Sequence, residues 1–217
     1  SRDYSRHRSR SRSPASRLSH KAGAMLTLPG SRVRFRPISD SWSDTVQVVS
    51  WRNSPAARAS FFELAIVTPD SHRAFLAGRR ADDLILGIEL AGGSELIGML
   101  SLTIDREKRA AEYGRLFIDP AYQGQGLAKE SEFLILWAGF EWLRLDELWL
   151  DALIYNQAVL TLHDRTGWIR TGVDLDGHRS ERGPVVHMEY PWDRWKMIGR
   201  RRYQAAFERV ELPEWTG

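Results

Sequence analysis

The chain has 217 residues, 42% apolar and 27% charged, with no cysteine; this is the balance of one globular domain with a full core, and it excludes disulfides, thiolate metal sites and a Cys-bound acyl intermediate. No apolar run approaches the ~20 residues that span a bilayer, and no apolar segment follows the basic N terminus, so neither a membrane span nor a secretory signal is expected and a reducing cytoplasm fits. The net charge is +3, yet residues 1–24 hold seven cations (Arg2, Arg6, Arg8, Arg10, Arg12, Arg17, Lys21) against Asp3, so the remainder is net acidic and nucleic acid is not expected as a partner of the folded part.

Residues 1–24 alternate Ser and Arg with almost nothing to bury, the composition of a disordered segment. An Arg/Ser tail can bind nucleic acid or a partner. The alternative is an extension upstream of a natural start at Met25, favoured because Tyr4 is the only aromatic residue there to stack on a base. Residues 25–192 read as the folded domain and 193–217 as a C-terminal helical extension.

Val33 to Pro37 alternates as a first strand. A mixed segment runs through Trp51, Arg52 and Asn53. Ser54-Pro55 signals a helix start into Ala56 to Leu64, and Thr68-Pro69-Asp70 starts another that reaches about Arg80. Leu84 to Leu90 and Glu95 to Ile104 are strands joined at Gly92-Gly93 as a hairpin. After a charged turn, Ala111 to Ile118 is the next strand. A long helix from Leu127 to about Leu143 places Leu127, Ser131, Leu134, Ile135, Ala138 and Trp142 on one face. Leu148 to Ile154 is a short apolar strand containing Asp151. Asn156 caps a helix that ends at Gly167. Trp168 to Val173 and Val185 to Tyr190 are late strands around a polar loop, Asp174 to Pro184, and Asp193 to Glu208 is helix-like. The order implies an α/β (α+β) layer structure around a central, mixed but mostly antiparallel sheet flanked by helices. The Trp-rich C terminus (Trp192, Trp195, Trp215) either covers a sheet face or forms a homodimer contact.

Between the strand at Ile118 and the helix at Leu127 lies Asp119-Pro120-Ala121-Tyr122-Gln123-Gly124-Gln125-Gly126. A glycine-rich turn that opens onto a helix N terminus makes an anion site, because glycine lets the backbone approach a ligand and the first helical N–H groups have no partner within the helix. It is not a P-loop, which needs Lys-Ser/Thr after the second glycine. It is not the dinucleotide fingerprint, because Lys129 stands at the third glycine place.

Gln123-Gly124-Gln125-Gly126-Leu127-Ala128, preceded by a strand ending Ile-Asp-Pro, resembles the acyl-CoA-binding motif Gln/Arg-x-x-Gly-x-Gly/Ala of the Gcn5-related N-acetyltransferase (GNAT) superfamily. The resemblance runs from about Val33 to Tyr190 and is strongest from Glu112 to Trp168. It implies an N-acetyltransferase that uses acetyl-CoA as co-substrate, without a metal. The backbone N–H groups of Gly124, Gly126, Leu127 and Ala128 would hold the pyrophosphate, with Gln123 and Gln125 in the same turn. The strand edge at Leu116, Phe117 and Ile118 would pair with the pantetheine arm, with a main-chain N–H near Phe117 or Ile118 as oxyanion donor. A β-bulge there, and splaying from Leu148–Ile154, would open the slot.

Acetyl transfer needs a neutral amine, a donor to the carbonyl oxygen and a proton for the leaving thiolate. Without cysteine, attack is expected directly on the thioester. In the resemblance Glu112 is the candidate base, at the start of the strand that carries the acyl group, with Asp151 as the second candidate. The family pattern Asn-x-x-Ala-x-x-x-Tyr-x-x-x-Gly-Phe reads here as Asn156, Val159, His163 and Gly167-Trp168. Asn156 would hold the cofactor, and His163, standing where Tyr is usual, would donate the proton. The bland alternatives are a strand-end ion pair for Glu112 and an ordinary helix-flank residue for His163.

The acceptor is expected to be a small-molecule amine. Trp51-Arg52-Asn53-Ser54-Pro55 with Arg58, Phe62 and His72, together with Glu112-Tyr113-Gly114-Arg115-Leu116, resembles nucleotide-linked amino-sugar N-acetyltransferases of the pseudaminic acid type. There Trp51 would stack on a sugar or base, and Arg52 or Arg58 would meet a diphosphate. A protein N terminus (as in ribosomal-protein acetyltransferases), a polyamine and an antibiotic amine remain open, as does a non-enzymatic acyl-CoA-binding or partner-binding module.

Overall fold

A computed structural model of the chain describes Leu26 and residues 31–63, 65–176, 180 and 182–206. The Arg/Ser tail, residues 177–179 and 181 of the 174–184 loop, and the last eleven residues, including Trp215, lie outside the described residues.

Seven strands form one sheet: β1 (Val33–Pro37), β2 (Asp83–Leu90), β3 (Leu96–Asp105), β4 (Ala110–Ile118), β5 (Glu147–Leu153), β6 (Ile169–Asp174) and β7 (Val185–Pro191), in the order β1-β2-β3-β4-β5-β7-β6. Every neighbouring pair is antiparallel except β4 with β5. The two-residue period of a strand sends adjacent side chains to opposite faces, so Ile85 and Leu86, Met99 and Leu100, and Phe117 and Ile118 divide between two cores. On one face the strands pack against α1 (Trp42–Asn53), α2 (Pro55–Arg58) and α3 (Pro69–Gly78) through Val48, Trp51, Ala57 and Leu76. The larger core on the other face takes α4 (Leu127–Trp137), its π-helical continuation Ala138–Trp142, and α5 (Gln157–Thr166). The C-terminal helix completes that layer. It comprises α6 (Trp192–Arg194), a π turn (Trp195–Gly199) and α7 (Arg200–Ala206). Trp195 is fully buried against Phe140 and Tyr190, so this tryptophan covers the sheet face.

The strand limits agree with the sequence reading to within about two residues, and the expected buried face of α4 is found, with Trp142 at its margin. Two elements differ. The mixed segment before Asn53 is the helix α1, capped by Ser41. Its buried stripe is Asp44, Thr45, Val48 and Trp51, half polar, so apolar periodicity does not reveal it. The helix anticipated from Ala56 to Leu64 is only the single turn Pro55–Arg58. Beyond this turn Phe61 lies under the Arg52 guanidinium, 4.0 Å from ring centroid to Arg52 Cζ.

Asp44 explains how a half-polar stripe can be buried. Arg36 on β1 grips it with two hydrogen bonds, Nη1 to Oδ2 at 2.6 Å and Nη2 to Oδ1 at 2.7 Å, and the Ser39 N–H donates to Oδ2 at 2.9 Å. Burial pushes the Asp44 carboxyl up, but these donors outweigh it and hold the group below the ordinary carboxylate range. A depressed folded-state value means that the stabilisation is present above the unfolded value near 4 and is lost as pH falls through the lower folded value. Asp44→Ala is expected to cost on the order of 2 kcal/mol, because it removes two charge-assisted hydrogen bonds from the Arg36 guanidinium and leaves it with Glu89 as its remaining carboxylate partner, and to flatten the acid limb of the stability–pH curve. Denaturant unfolding measures both; a cost below about 0.5 kcal/mol, the range of an ordinary surface substitution, would mean that α1 docks without this pair.

Candidate active site

After β4 the chain makes a short 3₁₀ turn, Pro120–Tyr122, and then the glycine turn. Gly124 and Gly126 both have left-handed backbones, φ 74° and 79°, which a side-chain-bearing residue adopts only at a cost. Gly126 is the N-cap of α4 and supplies no side-chain cap. Among the described residues, the N–H groups of Gly124, Gly126, Leu127 and Ala128 donate to no backbone carbonyl. Successive left-handed glycines with unsatisfied N–H groups at the start of an eleven-residue helix form an anion cradle, and such a cradle fits a pyrophosphate. Gln123 closes the turn, its Nε2 donating to Ile118 O at 2.8 Å. Asp119 anchors the other end, accepting from Ala121 N at 2.9 Å and from Trp51 Nε1 at 2.7 Å. Arg32 reaches the turn as well, donating to Gln125 O at 3.2 Å while its Nε is held by Glu130 at 2.8 Å.

The strand leading into this turn is irregular. Pairing of β3 with β4 runs Ser101↔Gly114 and then Met99↔Phe117, so Arg115 and Leu116 together face one residue of β3. Arg115 sits in this bulge with φ 55°, a conformation that is rare for a non-glycine residue and clusters at functional sites. Parallel pairing of β4 with β5 covers only Ala110↔Glu147, Ala111↔Leu148 and Glu112↔Trp149. Beyond Glu112 the strands part, and β4 has no β5 partner on that edge. Bulge and splay are both as anticipated. An edge with free N–H and C=O groups is where an extended ligand can add as a strand.

A cavity of about 260 Å³ opens at the fork. Its walls include Glu112, Tyr113, Gly114, Arg115 and Leu116 of β4, Leu150, Asp151 and Ala152 of β5, and Asn156, Val159 and His163 around α5. Arg52 and residues 60–63 complete the lining. Thus Glu112, Asp151, His163, Asn156, Arg52 and Leu116, separate in sequence, share one space.

Two of these carry partners that the sequence did not announce. His163 is buried, and its Nδ1 lies 2.6 Å from Oε1 of Glu132, a fully buried carboxylate on α4. Tyr113 and Trp168 enclose the same imidazole, with ring centroids 6.0 Å and 5.5 Å away. A carboxylate on Nδ1 fixes ring orientation and leaves Nε2 as the other functional nitrogen. The Tyr113 hydroxyl is pushed well up by its burial and by the Glu132 charge, so it stays protonated. Asp151, with a side chain 5% exposed, faces His187 Nδ1 at 2.7 Å, and His187 Nε2 lies 3.3 Å from Glu189. Neither Glu132 nor His187 was legible as a site residue; a glutamate on the apolar side of a long helix was the one available signal.

Other expectations change. Trp51 is 4% exposed, bonded to Asp119 and packed on Phe117 at 5.8 Å. It is a core residue that braces the strand-to-turn junction, so it cannot stack on a sugar or base. Arg58 lies outside the cavity lining, and its carbonyl accepts from Arg182. The aromatic residues on the cavity wall are Phe61, Phe62 and Tyr113. Asn156 reaches the cavity, but its Oδ1 caps α5 by accepting from Val159 N at 3.3 Å. Phe117 and Ile118 bury their side chains in the two cores, which leaves only their backbone for a ligand. Among the described residues no helix is long and apolar enough to cross a membrane.

Residues 32–169 match the family described as acetyltransferase (GNAT) domain. Among solved structures, the chain is similar to a GCN5-related N-acetyltransferase from Brucella melitensis (TM-score 0.68, 17% identity, 82% of this chain and 83% of that one). It is likewise similar to spermidine N-acetyltransferase from Vibrio cholerae in complex with CoA and spermine (TM-score 0.68, 19% identity, 76% and 98%) and to a GNAT-family acetyltransferase from Bacillus anthracis (TM-score 0.66, 16% identity, 78% and 99%). Likeness at these identities shows a shared fold and leaves the acceptor to the site itself. No curated protein matches the chain.

Proposed function

The chain belongs to the GNAT acetyltransferase family, whose members use acetyl-CoA, and from that premise we propose that it acetylates the amine of a small molecule, specifically an amino sugar, free or nucleotide-linked. The observation that carries this reading is the cavity at the β4–β5 fork, which carboxylates (Glu112, Asp151), an imidazole (His163), Arg52, Phe61 and Phe62 line together. Carboxylates suit the amine of such an acceptor, aromatic faces its ring, and a guanidinium its hydroxyls or phosphates.

In this reading the cradle of Gly124, Gly126, Leu127 and Ala128 holds the pyrophosphate, and the open edge of β4 lines the acyl arm. Glu112 takes the proton from the acceptor's ammonium group or its attacking amine. The amine nitrogen bonds to the thioester carbonyl carbon, the C–S bond breaks, and His163, oriented by Glu132, gives the departing sulfur its proton. The chain has no cysteine, so no Cys-bound acyl group intervenes. A polyamine acceptor is the second reading, since spermidine N-acetyltransferase is among the similar folds. Arg52 and Arg115 on the cavity wall oppose a polycation and rank it lower.

The test is CoA release from acetyl-CoA across amino sugars, nucleotide-linked amino sugars, spermidine, N-terminal peptides and aminoglycosides. We expect the highest kcat/KM with an amino sugar. A preference for spermidine or peptides would overturn the acceptor class, and CoA binding without release to any amine would favour a binding module.

A further inference from the structure

Two guanidiniums line the cavity at the fork. Arg52 contributes a guanidinium whose side chain is only 13% exposed. Its carboxylate partner, Glu63, is 3.4 Å away and 74% exposed, a long contact at the cavity rim that solvent weakens. Arg115 projects from the β4 bulge to the same cavity. It donates to the Ser101 hydroxyl at 3.3 Å and lies 5.1 Å from the Phe75 ring centroid, and among the described residues it has no ion-pair partner within 4.0 Å. Burial lowers the proton affinity of the Arg52 guanidinium, the Arg115 charge acts in the same direction, and Glu63 opposes both. Both arginines line the same cavity. Buried His72, whose Nε2 has no partner among the described residues, is likewise held towards its neutral form by burial and then by Arg52. Two guanidiniums on one cavity, one of them desolvated with only a rim carboxylate beside it and one held in a left-handed backbone, form an incomplete charge set.

We propose that Arg52 and Arg115 form an anion subsite for the acceptor, so that the molecule acetylated carries a phosphate or carboxylate in addition to its amine. This deepens the amino-sugar reading and rests on it. Glu112 and Asp151 receive the amine, and the two guanidiniums receive the acidic group, which orients the acceptor in the cavity. Glu63 acts as a stand-in that the incoming anion displaces. Guanidinium forks match both phosphate and carboxylate oxygens, so the two sources share one recognition chemistry.

The full-length protein, saturated with CoA so that the glycine turn is filled, is titrated calorimetrically with glucosamine, glucosamine 6-phosphate and 2-amino-2-deoxyglucuronic acid. At least one acidic sugar is expected to bind 10-fold or more tighter than glucosamine, the range of a charge-assisted bidentate contact; which one is tighter distinguishes phosphate from carboxylate. Arg115→Gln is expected to erase that preference while leaving CoA affinity unchanged. Glu63→Gln, which removes an exposed side chain's charge, is expected to strengthen it. Equal binding of all three sugars, no binding of any, or an acidic preference that survives Arg115→Gln overturns the subsite. If Arg115→Gln fails to fold, a weakened preference in Glu63→Gln overturns it instead. CoA release with neutral amino sugars alone would sink the anion subsite and leave N-acetylation of amino sugars standing, whereas loss of CoA binding by the wild-type chain would remove the reading beneath it.

Discussion

Replacing Gly126 by Asp is expected to raise the Kd for CoA and acetyl-CoA by roughly 100-fold with little change in melting temperature. Two opposing effects on stability make the variant informative. At φ 79° any side chain meets left-handed strain, worth about 1–2 kcal/mol for an ordinary residue but less for Asp, which hydrogen-bonds locally there. Gly126 is also the N-cap of α4 and contributes no side-chain acceptor. An Asp at that place can accept from the N–H groups of the first turn, a gain of about 1 kcal/mol. Fold stability thus stays near wild type, while the same carboxylate occupies the donors that a pyrophosphate would use and repels it. Gly126→Ala brings the strain without the charge: its Cβ would meet Arg32 Nη2 at 3.6 Å, an ordinary contact. It is expected to lower the melting temperature by a few degrees and to weaken CoA binding much less than Asp does. Calorimetric Kd values for the three proteins decide the matter. An Asp variant that binds CoA like wild type would move the phosphate site away from this turn.

Elements whose stabilising partners are close in sequence were readable. The 67–80 segment shows its capping box in Thr68 and Ser71, and α5 is bounded by Asn156 and left-handed Gly167. The strands show because both faces of the sheet are covered and the apolar runs are long. α1 was hidden because its stripe is completed by an ion pair with Arg36, across a turn and a change of element. A guanidinium does not register as apolar, yet it lets Asp44 and Thr45 face inward.

The site divides in the same way. The glycine turn is local chemistry, and its residues, spacing and conformation can be inferred from a dozen adjacent positions. Glu132 and His163 are 31 residues apart, and Asp151 and His187 are 36 apart; nothing short of the packed sheet brings them together. Trp51 shows the opposite error. The resemblance implied that it stacks on a sugar or base, but helical geometry turns Trp51 to the core and Arg52 to the cavity. The bulge at Arg115 was expected from the resemblance, but the arginine's place on the cavity wall follows from where the extra residue falls in the ladder.

The remaining question at the fork is which carboxylate takes the proton. Glu112 is the last β4 residue paired with β5, opposite Trp149, and Asp151 lies two residues farther along β5 on the same face as Trp149. Both border the cavity. Asp151 has Oδ1 committed to His187 Nδ1 at 2.7 Å, and His187 is about one-third exposed beside Glu189. That chain suits a group that holds the acceptor's charge and exchanges protons with solvent. Glu112 adjoins the free β4 edge on which the acyl arm would lie, so it stands nearer the attacking nitrogen. Glu112→Gln is therefore expected to lower kcat/KM by roughly 10²–10³-fold, within the range for general base catalysis, with CoA affinity kept. Asp151→Asn is expected to cost about 10-fold, chiefly in the acceptor's KM. The two also differ in pH dependence. The rising limb of kcat/KM reports loss of a proton from the base in the free enzyme, so that limb should flatten in Glu112→Gln and persist in Asp151→Asn. The reverse pattern, with the limb lost only in Asp151→Asn, would assign the base to the Asp151–His187 pair and leave Glu112 as a residue that positions the amine.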